Sequence, residues 1–155
     1  EMLRSLVGSE MCIRDSYFTA QNVGFGISYV LPIVLALVKA KKGELIILEN
    51  PEAHLHPRGQ RKMGELIARA AQGGVQVIVE THSDHILNGI RLCAKHNMID
   101  PDIVRLYYFS RKKADTEEYS SIPVIDNPVL YKDGRLSFWP EGFFDEWDRA
   151  IDELF

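Results

Sequence analysis

Near the middle of its first half the chain reads Leu45-Ile46-Ile47-Leu48-Glu49-Asn50-Pro51-Glu52-Ala53-His54-Leu55-His56-Pro57. The apolar start of this stretch runs without interruption into a turn crowded with carboxylates and imidazoles. An unbroken apolar run with β-branched residues predicts a strand buried on both faces, as in a parallel sheet with helices on either side. Ligands of open α/β sheets bind just beyond the carboxyl ends of the strands. Glu49, Asn50, Glu52, His54 and His56 therefore fall where chemistry collects, and a merely solvated loop is the weaker reading.

Working outward, Val75–Val79 reads as a second strand and ends in Glu80-Thr81-His82-Ser83-Asp84-His85. Between the two strands, Met63, Leu66, Ile67 and Ala70 recur at helical spacing, and Gly73-Gly74 closes that helix. A strand–helix–strand unit of this length has parallel strands and a right-handed crossover. The acidic turn and the Thr-His-Ser turn should then open on the same edge of the sheet.

Upstream, Asn22-Val23-Gly24-Phe25-Gly26-Ile27-Ser28-Tyr29 places glycines and a serine before an apolar helix expected from about Ser28 to Ala40, with Lys39, Lys41 and Lys42 at its C-terminal end. Backbone N–H groups at such a helix start can receive an anion, although glycines also serve simply to permit a turn. Residues 1–16 show no clear period and lack the basic start and apolar core of a signal peptide. The run Leu6–Ser16 is similar to a peptide recurring at the ends of unrelated translated sequencing assemblies, so residues 1–16 are read as a non-native or disordered segment, the alternative being a variable N-terminal arm.

Downstream, a helix is expected from His85 to about His96, a strand over Val104–Phe109, a polar loop over Arg111–Glu118 and a short extended piece over Ile122–Ile125. Asp133-Gly134 between Val129–Tyr131 and Leu136–Phe138 is a hairpin signal. Glu141–Phe155 reads as an amphipathic helix, with Phe143, Phe144, Trp147, Ile151 and Leu154 as its apolar stripe. The pattern changes near Lys113, which divides an α/β region, residues 17–113, from a hairpin-and-helix region, residues 114–155.

Bulk properties fit this picture. The chain has 155 residues, 46% hydrophobic and 26% charged, ordinary for a soluble domain. A net charge of −4 supplies no general basic field for nucleic acid. Cys12 and Cys93, far apart, suit a reducing cytoplasm. Val30–Val38 is too short to span a bilayer and contains Pro32, so no membrane association is expected.

An acid at the tip of an apolar strand is how P-loop nucleotide hydrolases hold Mg²⁺ near the β- and γ-phosphates. A second polar group then polarises the attacking water, and a histidine on a neighbouring strand tip can reach the γ-phosphate. Those roles map to Glu49, Glu52 and His82. Leu45–Pro57 resembles the Walker B segment and D-loop of ABC-type ATPases, in the branch related to the overcoming-lysogenization-defect and recombination-repair ATPases, whose D-loop region often reads Pro-Glu-Ala-His-Leu-His-Pro. Thr81-His82-Ser83 resembles the switch-histidine strand end, and Gly24–Ser28 stands where these proteins carry their signature motif. Trp139–Asp145 is similar to a C-terminal domain of unknown function attached to some of them.

The resemblance covers Asn22–Phe155 and implies the C-terminal lobe of an ABC-type P-loop NTPase, α/β with parallel strands flanked by helices, followed by a small C-terminal β-hairpin and helix. It implies ATP and Mg²⁺ as cofactors, Glu49 as metal ligand, and Gly24, Gly26, Ser28, Asn50 and His56 facing nucleotide. It further implies a homodimer or like-headed partner, because the signature of one head contacts the γ-phosphate held by the other. DNA repair and anti-phage defence are the implied settings, with DNA or a defence effector as further partner. Two departures stand out. Family members commonly have Asp then Glu at the strand tip, where this chain has Glu49 then Asn50, and an amide cannot act as a base. No G-x-x-x-x-G-K-[ST] loop occurs, so the chain is expected to be a fragment lacking the phosphate-binding lobe and inactive alone. Two other classes stay open: a metallohydrolase built from His54, His56, His82 and His85 with Glu52 and Asp84, and a non-catalytic interaction module.

Overall fold

A computed structural model describes residues 10–13, 16–19, 24–113 and 121–154. The chain divides into two compact units, residues 1–89 and 90–155. The change of sequence pattern near Lys113 lies well beyond that division.

The first unit opens with a short antiparallel hairpin, β1 (Glu10–Ile13) and β2 (Ser16–Thr19). The expectation of a non-native or disordered segment falls partly on this hairpin and partly on residues 1–9 and 14–15, which lie outside the described residues. Helix α1 follows over Gly24–Lys39. It starts four positions before the expected Ser28, so Gly24 and Gly26 form its first turn instead of preceding it.

Strand β3 (Leu45–Glu49) leads through the acidic turn into helix α2 (Pro57–Gln72), and β4 (Gln76–Glu80) returns beside β3. The strands pair in parallel, from Leu45 opposite Gln76 to Glu49 opposite Glu80. Their starts are tied by Gly43 N–H donating to the Gly74 carbonyl at 2.8 Å and Gln76 N–H donating to the Glu44 carbonyl at 2.9 Å. Pro57 opens α2, where a missing N–H costs nothing. The helix buries Met63, Gly64, Ile67 and Ala68; of the residues expected at helical spacing, Met63 and Ile67 are buried, whereas Leu66 and Ala70 are half-buried.

One expectation is corrected here. The β3 run was expected to be buried on both faces, yet the strand alternates: Leu48 is 7% exposed, whereas Leu45 is 54% and Ile47 69% exposed. Ile78 on β4 is 51% exposed. In-register neighbours share a face, so Leu45, Ile47 and Ile78 form one open apolar surface.

Helix α3 (Asp84–Lys95) begins in the first unit and ends in the second. A single turn of 3₁₀ helix, Pro101–Ile103, then precedes an antiparallel hairpin of β5 (Tyr108–Lys113) and β6 (Ser121–Asp126), with Phe109 opposite Ile125 and Arg111 opposite Pro123. This strand lies four residues beyond the expected Val104–Phe109 and takes in Arg111–Lys113, which were read as loop. The reason is pairing: β6 offers partners to residues 108–113 and none to 104–107.

The Asp-Gly hairpin is present in minimal form. A single bridge joins Leu130 and Leu136, and Gly134 takes φ +81°. Helix α4 covers only Glu146–Leu154, so Phe143 and Phe144 precede it. Phe143 is nonetheless buried, edge-on to Tyr108 at 5.0 Å and to Trp139 at 5.1 Å between ring centroids. Leu154, placed on the apolar stripe by its spacing, is 75% exposed. No helix of the described residues is long and apolar enough to cross a membrane.

Candidate functional site

The βαβ unit brings the two polar turns to one end of the sheet. Glu49 and Glu80 are in-register neighbours on adjacent parallel strands, so two exposed carboxylates project from the same face at the strand tips. Like charges placed side by side repel. A cation shared between them would remove that repulsion.

Beyond Glu49 the chain turns sharply. Asn50 has φ +47° and His54 φ +61°, both in the left-handed region. Asn is among the few non-glycine residues that enter it readily. The turn is closed by Ala53 N–H donating to the Asn50 carbonyl and Leu55 N–H to the Glu52 carbonyl, each at 3.0 Å. Asn50 N–H itself continues the sheet by donating to the Glu80 carbonyl at 3.0 Å.

Glu52 faces away from open solvent, toward the neighbouring turn. Its Oε2 accepts from the Thr81 hydroxyl at 2.7 Å and its Oε1 from the His82 N–H at 2.8 Å. Thr81 Oγ1 in turn accepts from Ser83 N–H at 3.1 Å. The Ser83 hydroxyl donates to Gln60 Oε1 at 2.7 Å and accepts from Ile86 N–H at 3.2 Å, capping α3. Gln60 Nε2 then donates to the Leu55 carbonyl at 2.8 Å, returning to the acidic turn. Glu52 was expected to polarise the attacking water; both of its oxygens are engaged in this ring. The His82 imidazole, by contrast, is 81% exposed, with Nε2 3.3 Å from Glu80 Oε1.

Helix α1 contributes Tyr29 and Gly26. The Tyr29 hydroxyl donates to the Asn50 carbonyl at 3.3 Å and lies 3.4 Å from that of Glu49, while its ring meets His54 edge-on at 5.6 Å. A Cβ on Gly26 would stand 2.9 Å from the His54 carbonyl oxygen, closer than real contacts allow. Gly26 therefore lets α1 close on the acidic turn. With the helix opening at Gly24, the N–H groups of its first turn are those without intrahelical acceptors. Ser28 lies one turn further on and lines a shallow open depression with Tyr29, Pro32, Ile47 and Glu49.

The remaining histidines go separate ways. His56 caps α2, its Nδ1 accepting from Gly59 N–H at 3.3 Å. His85 Nδ1 lies 3.4 Å from Asp84 Oδ1. No group of three His, Cys, Asp or Glu that could hold a metal ion occurs among the described residues. The metallohydrolase reading needed His54, His56, His82 and His85 together, and the fold disperses them to different partners.

Sequence reasoning brought Glu49, Glu52 and the Thr81-His82-Ser83 turn to one sheet edge, but gave Thr81 and Ser83 no role of their own and did not connect Tyr29 or Gln60 with that edge. Ser83 was readable, since a serine immediately before an acidic first helical residue is an N-cap signal. Nothing in the sequence pairs Gln60 with Ser83 or Tyr29 with the turn, because those contacts depend on how the elements pack.

Residues 14–88 match the AAA domain family whose description names the AbiEii toxin of type IV TA systems. Residues 99–154 match a family described as protein of unknown function, DUF3696. The Old nuclease of Escherichia phage P2 is 30% identical over 110 residues, which covers 61% of this chain and 19% of that protein. The chain thus spans about a fifth of the length of the curated relative it matches. No solved structure matches. Taken together, the AAA domain and the phage relative support an AAA/OLD-like ATPase family for this chain.

Proposed function

We propose that this chain forms the Walker B, D-loop and switch-histidine part of an ATP hydrolase that works with Mg²⁺. The observation that carries the reading is that Glu49 ends one of two adjacent parallel strands and His82 follows just beyond the end of the other, with Glu52 accepting from the Thr81 hydroxyl and the His82 N–H. Exposed carboxylate oxygens suit a hard cation such as Mg²⁺, which prefers oxygen and retains bonds to substrate phosphates. Glu49 would hold the ion, with Glu80 beside it. When bound, Mg²⁺ neutralises charge on the transferring phosphoryl group. His82 extends an exposed imidazole toward the same space and is suited to contact a γ-phosphate. Asn50 occupies the position where related proteins carry a glutamate, so the chain brings no base there. Gly24, Gly26 and Ser28 are proposed to face a nucleotide held by a second head. The structure adds that Gly26 also serves close packing. His56 has a structural task as helix cap, which argues against a direct nucleotide contact.

The phosphate-binding loop, the partner head and the biological setting belong to the same proposal. The whole protein acts as a homodimer or like-headed pair in the cytoplasm, in DNA repair or anti-phage defence, where DNA or a defence effector would be the further partner. The Old nuclease match favours that setting over an unrelated ATPase role. The test uses the full-length protein carrying an intact phosphate loop. Glu49→Gln should reduce Mg²⁺-dependent ATP turnover by about 10²-fold or more, since an amide cannot supply the charge that balances the metal. Normal turnover in that variant at ordinary Mg²⁺ would refute the metal assignment. A mixed dimer provides the second arm: one subunit lacks a working phosphate loop and the other a working signature. It retains one composite site and should recover part of the turnover.

A further inference from the structure

The ring of side chains joining the acidic turn to the tip of β4 has a task of its own. We infer that Glu52 is a positioning residue which, with Thr81, fixes the backbone of His82 relative to the acidic turn, so that the exposed imidazole is held in reach of nucleotide. The inference rests on the ATPase reading for its consequence in turnover, but its structural half stands on the hydrogen bonds alone.

The hydroxyl hydrogens in the ring are directed. Thr81 has one hydroxyl hydrogen, and it goes to Glu52 Oε2; the oxygen left over accepts from Ser83 N–H. Ser83 spends its hydroxyl hydrogen on Gln60 and accepts from Ile86 N–H. The acceptor at residue 52 must therefore take an O–H and an N–H at once, and a carboxylate is the group that accepts at both oxygens. Charge on the acceptor shortens and strengthens both bonds. Glu52, Thr81 and Gln60 are each half-buried and Ser83 is buried, so water does not replace a lost partner cheaply. The imidazole of His82 belongs to none of these bonds. The ring thus anchors the histidine by its main chain and leaves the side chain outside. A residue acting as general base would be arranged the other way, with an oxygen turned toward substrate.

The two roles separate experimentally. In the full-length protein, Thr81→Val and Glu52→Gln should each lower kcat about tenfold, the usual worth of one such hydrogen bond, with the KM for ATP nearly unchanged. Thr81→Ser keeps the hydroxyl and should restore turnover. The double variant Glu52→Gln/Thr81→Val should be little worse than either single change, because both break the same link. The acidic limb of the kcat–pH profile should stay where it is. If Thr81→Val turns over normally while Glu52→Gln loses about 10²–10⁴ in rate together with the acidic limb, Glu52 is the base and the positioning role is wrong.

A second readout needs no ATP. In the 155-residue chain, the His82 amide should be protected from hydrogen exchange and should lose that protection in Glu52→Ala, and to a lesser degree in Thr81→Val. Unchanged protection in both would overturn the inference whatever the enzyme does. No ATP turnover by the full-length protein with Mg²⁺ would instead defeat the ATPase reading and leave the exchange result standing on its own.

Discussion

Asn50 is the residue at which backbone demand and chemical demand meet. Its φ of +47° lies where most side chains are strained, and asparagine is one of the few that settle there. A glutamate at this position would restore a carboxylate beside Glu49 but would carry a left-handed backbone cost of about 1–2 kcal/mol. Asn50→Glu should therefore lower the thermal midpoint by several degrees and, on the ATPase reading proposed above, raise ATP turnover of the full-length protein about tenfold or more. Asn50→Gly is the control: it accepts the same φ, should melt at or above the wild-type midpoint, and should gain no turnover. If Asn50→Glu gains nothing, the missing carboxylate is not what limits the reaction. That Asn50 departs from the family pattern was legible in the sequence. That it sits in a left-handed turn was not, since the Asn-Pro step does not by itself reveal which way the chain bends.

Among the elements, the contact between α2 and α3 is made by glycines. A Cβ on Gly64 would lie 2.1 Å from the Ile86 carbonyl oxygen, and one on Gly89 2.3 Å from that of Arg61. These obstructions are backbone atoms, so nothing flexible can yield. Gly64→Ala should cost at least about 3 kcal/mol in a denaturant melt, more than an ordinary overpacking change. By comparison Gly43→Ala, which meets nothing within 4 Å but holds φ +89°, should cost only its backbone strain, about 1–2 kcal/mol. The helical period of residues 57–72 showed which side of α2 is buried, yet gave no sign that Gly64 marks the closest approach. The same limit applies to Gly26, which reads as part of an anion-binding motif and proves also to be a packing glycine. In the Asp-Gly hairpin, Asp133 accepts from the Arg135 backbone N–H at 2.9 Å and from its Nε at 2.6 Å, in that order of effect on its carboxyl group, which is held below the usual value of 3.8. A lowered carboxyl pKa stabilises the folded turn above pH 3.8 and loses that stabilisation as pH falls through the folded value. Asp133→Asn should remove that acid-side dependence of the hairpin, followed by NMR shifts of residues 130–136, and leave the turn near neutrality less ordered than in the wild type, since the carboxylate contributes there.

On the scale of the whole molecule, what the sequence revealed and what it concealed divide by range. The βαβ unit and the meeting of its two polar turns were legible because consecutive strands joined by one helix have few arrangements. The second unit was harder: the partner of residues 108–113 is the irregular, Pro-containing stretch Ser121–Asp126, and pairing overrode the polar character of Arg111–Lys113. The largest departure is the open face of the central sheet. Its apolar run reads as buried on both sides, and Leu45, Ile47 and Ile78 nevertheless face outward, on a sheet of only two strands with both edges unpaired among the described residues. Contiguous exposed apolar surface beside unpaired strand edges promotes association. The 155-residue chain should therefore self-associate with rising concentration, as sedimentation velocity would record. Ile47→Thr together with Ile78→Thr should shift the distribution toward monomer while changing stability by less than about 1 kcal/mol, because both side chains already meet solvent. Leu48→Ala, on the opposite face and 7% exposed, should cost about 2–4 kcal/mol and leave the chain no less prone to associate. If the threonine pair leaves self-association unchanged, the sheet face is not the adhesive surface. The exposed aromatic side chains of the second unit, Phe109 at 70% and Tyr107 at 62% exposure, would then be the next residues to alter.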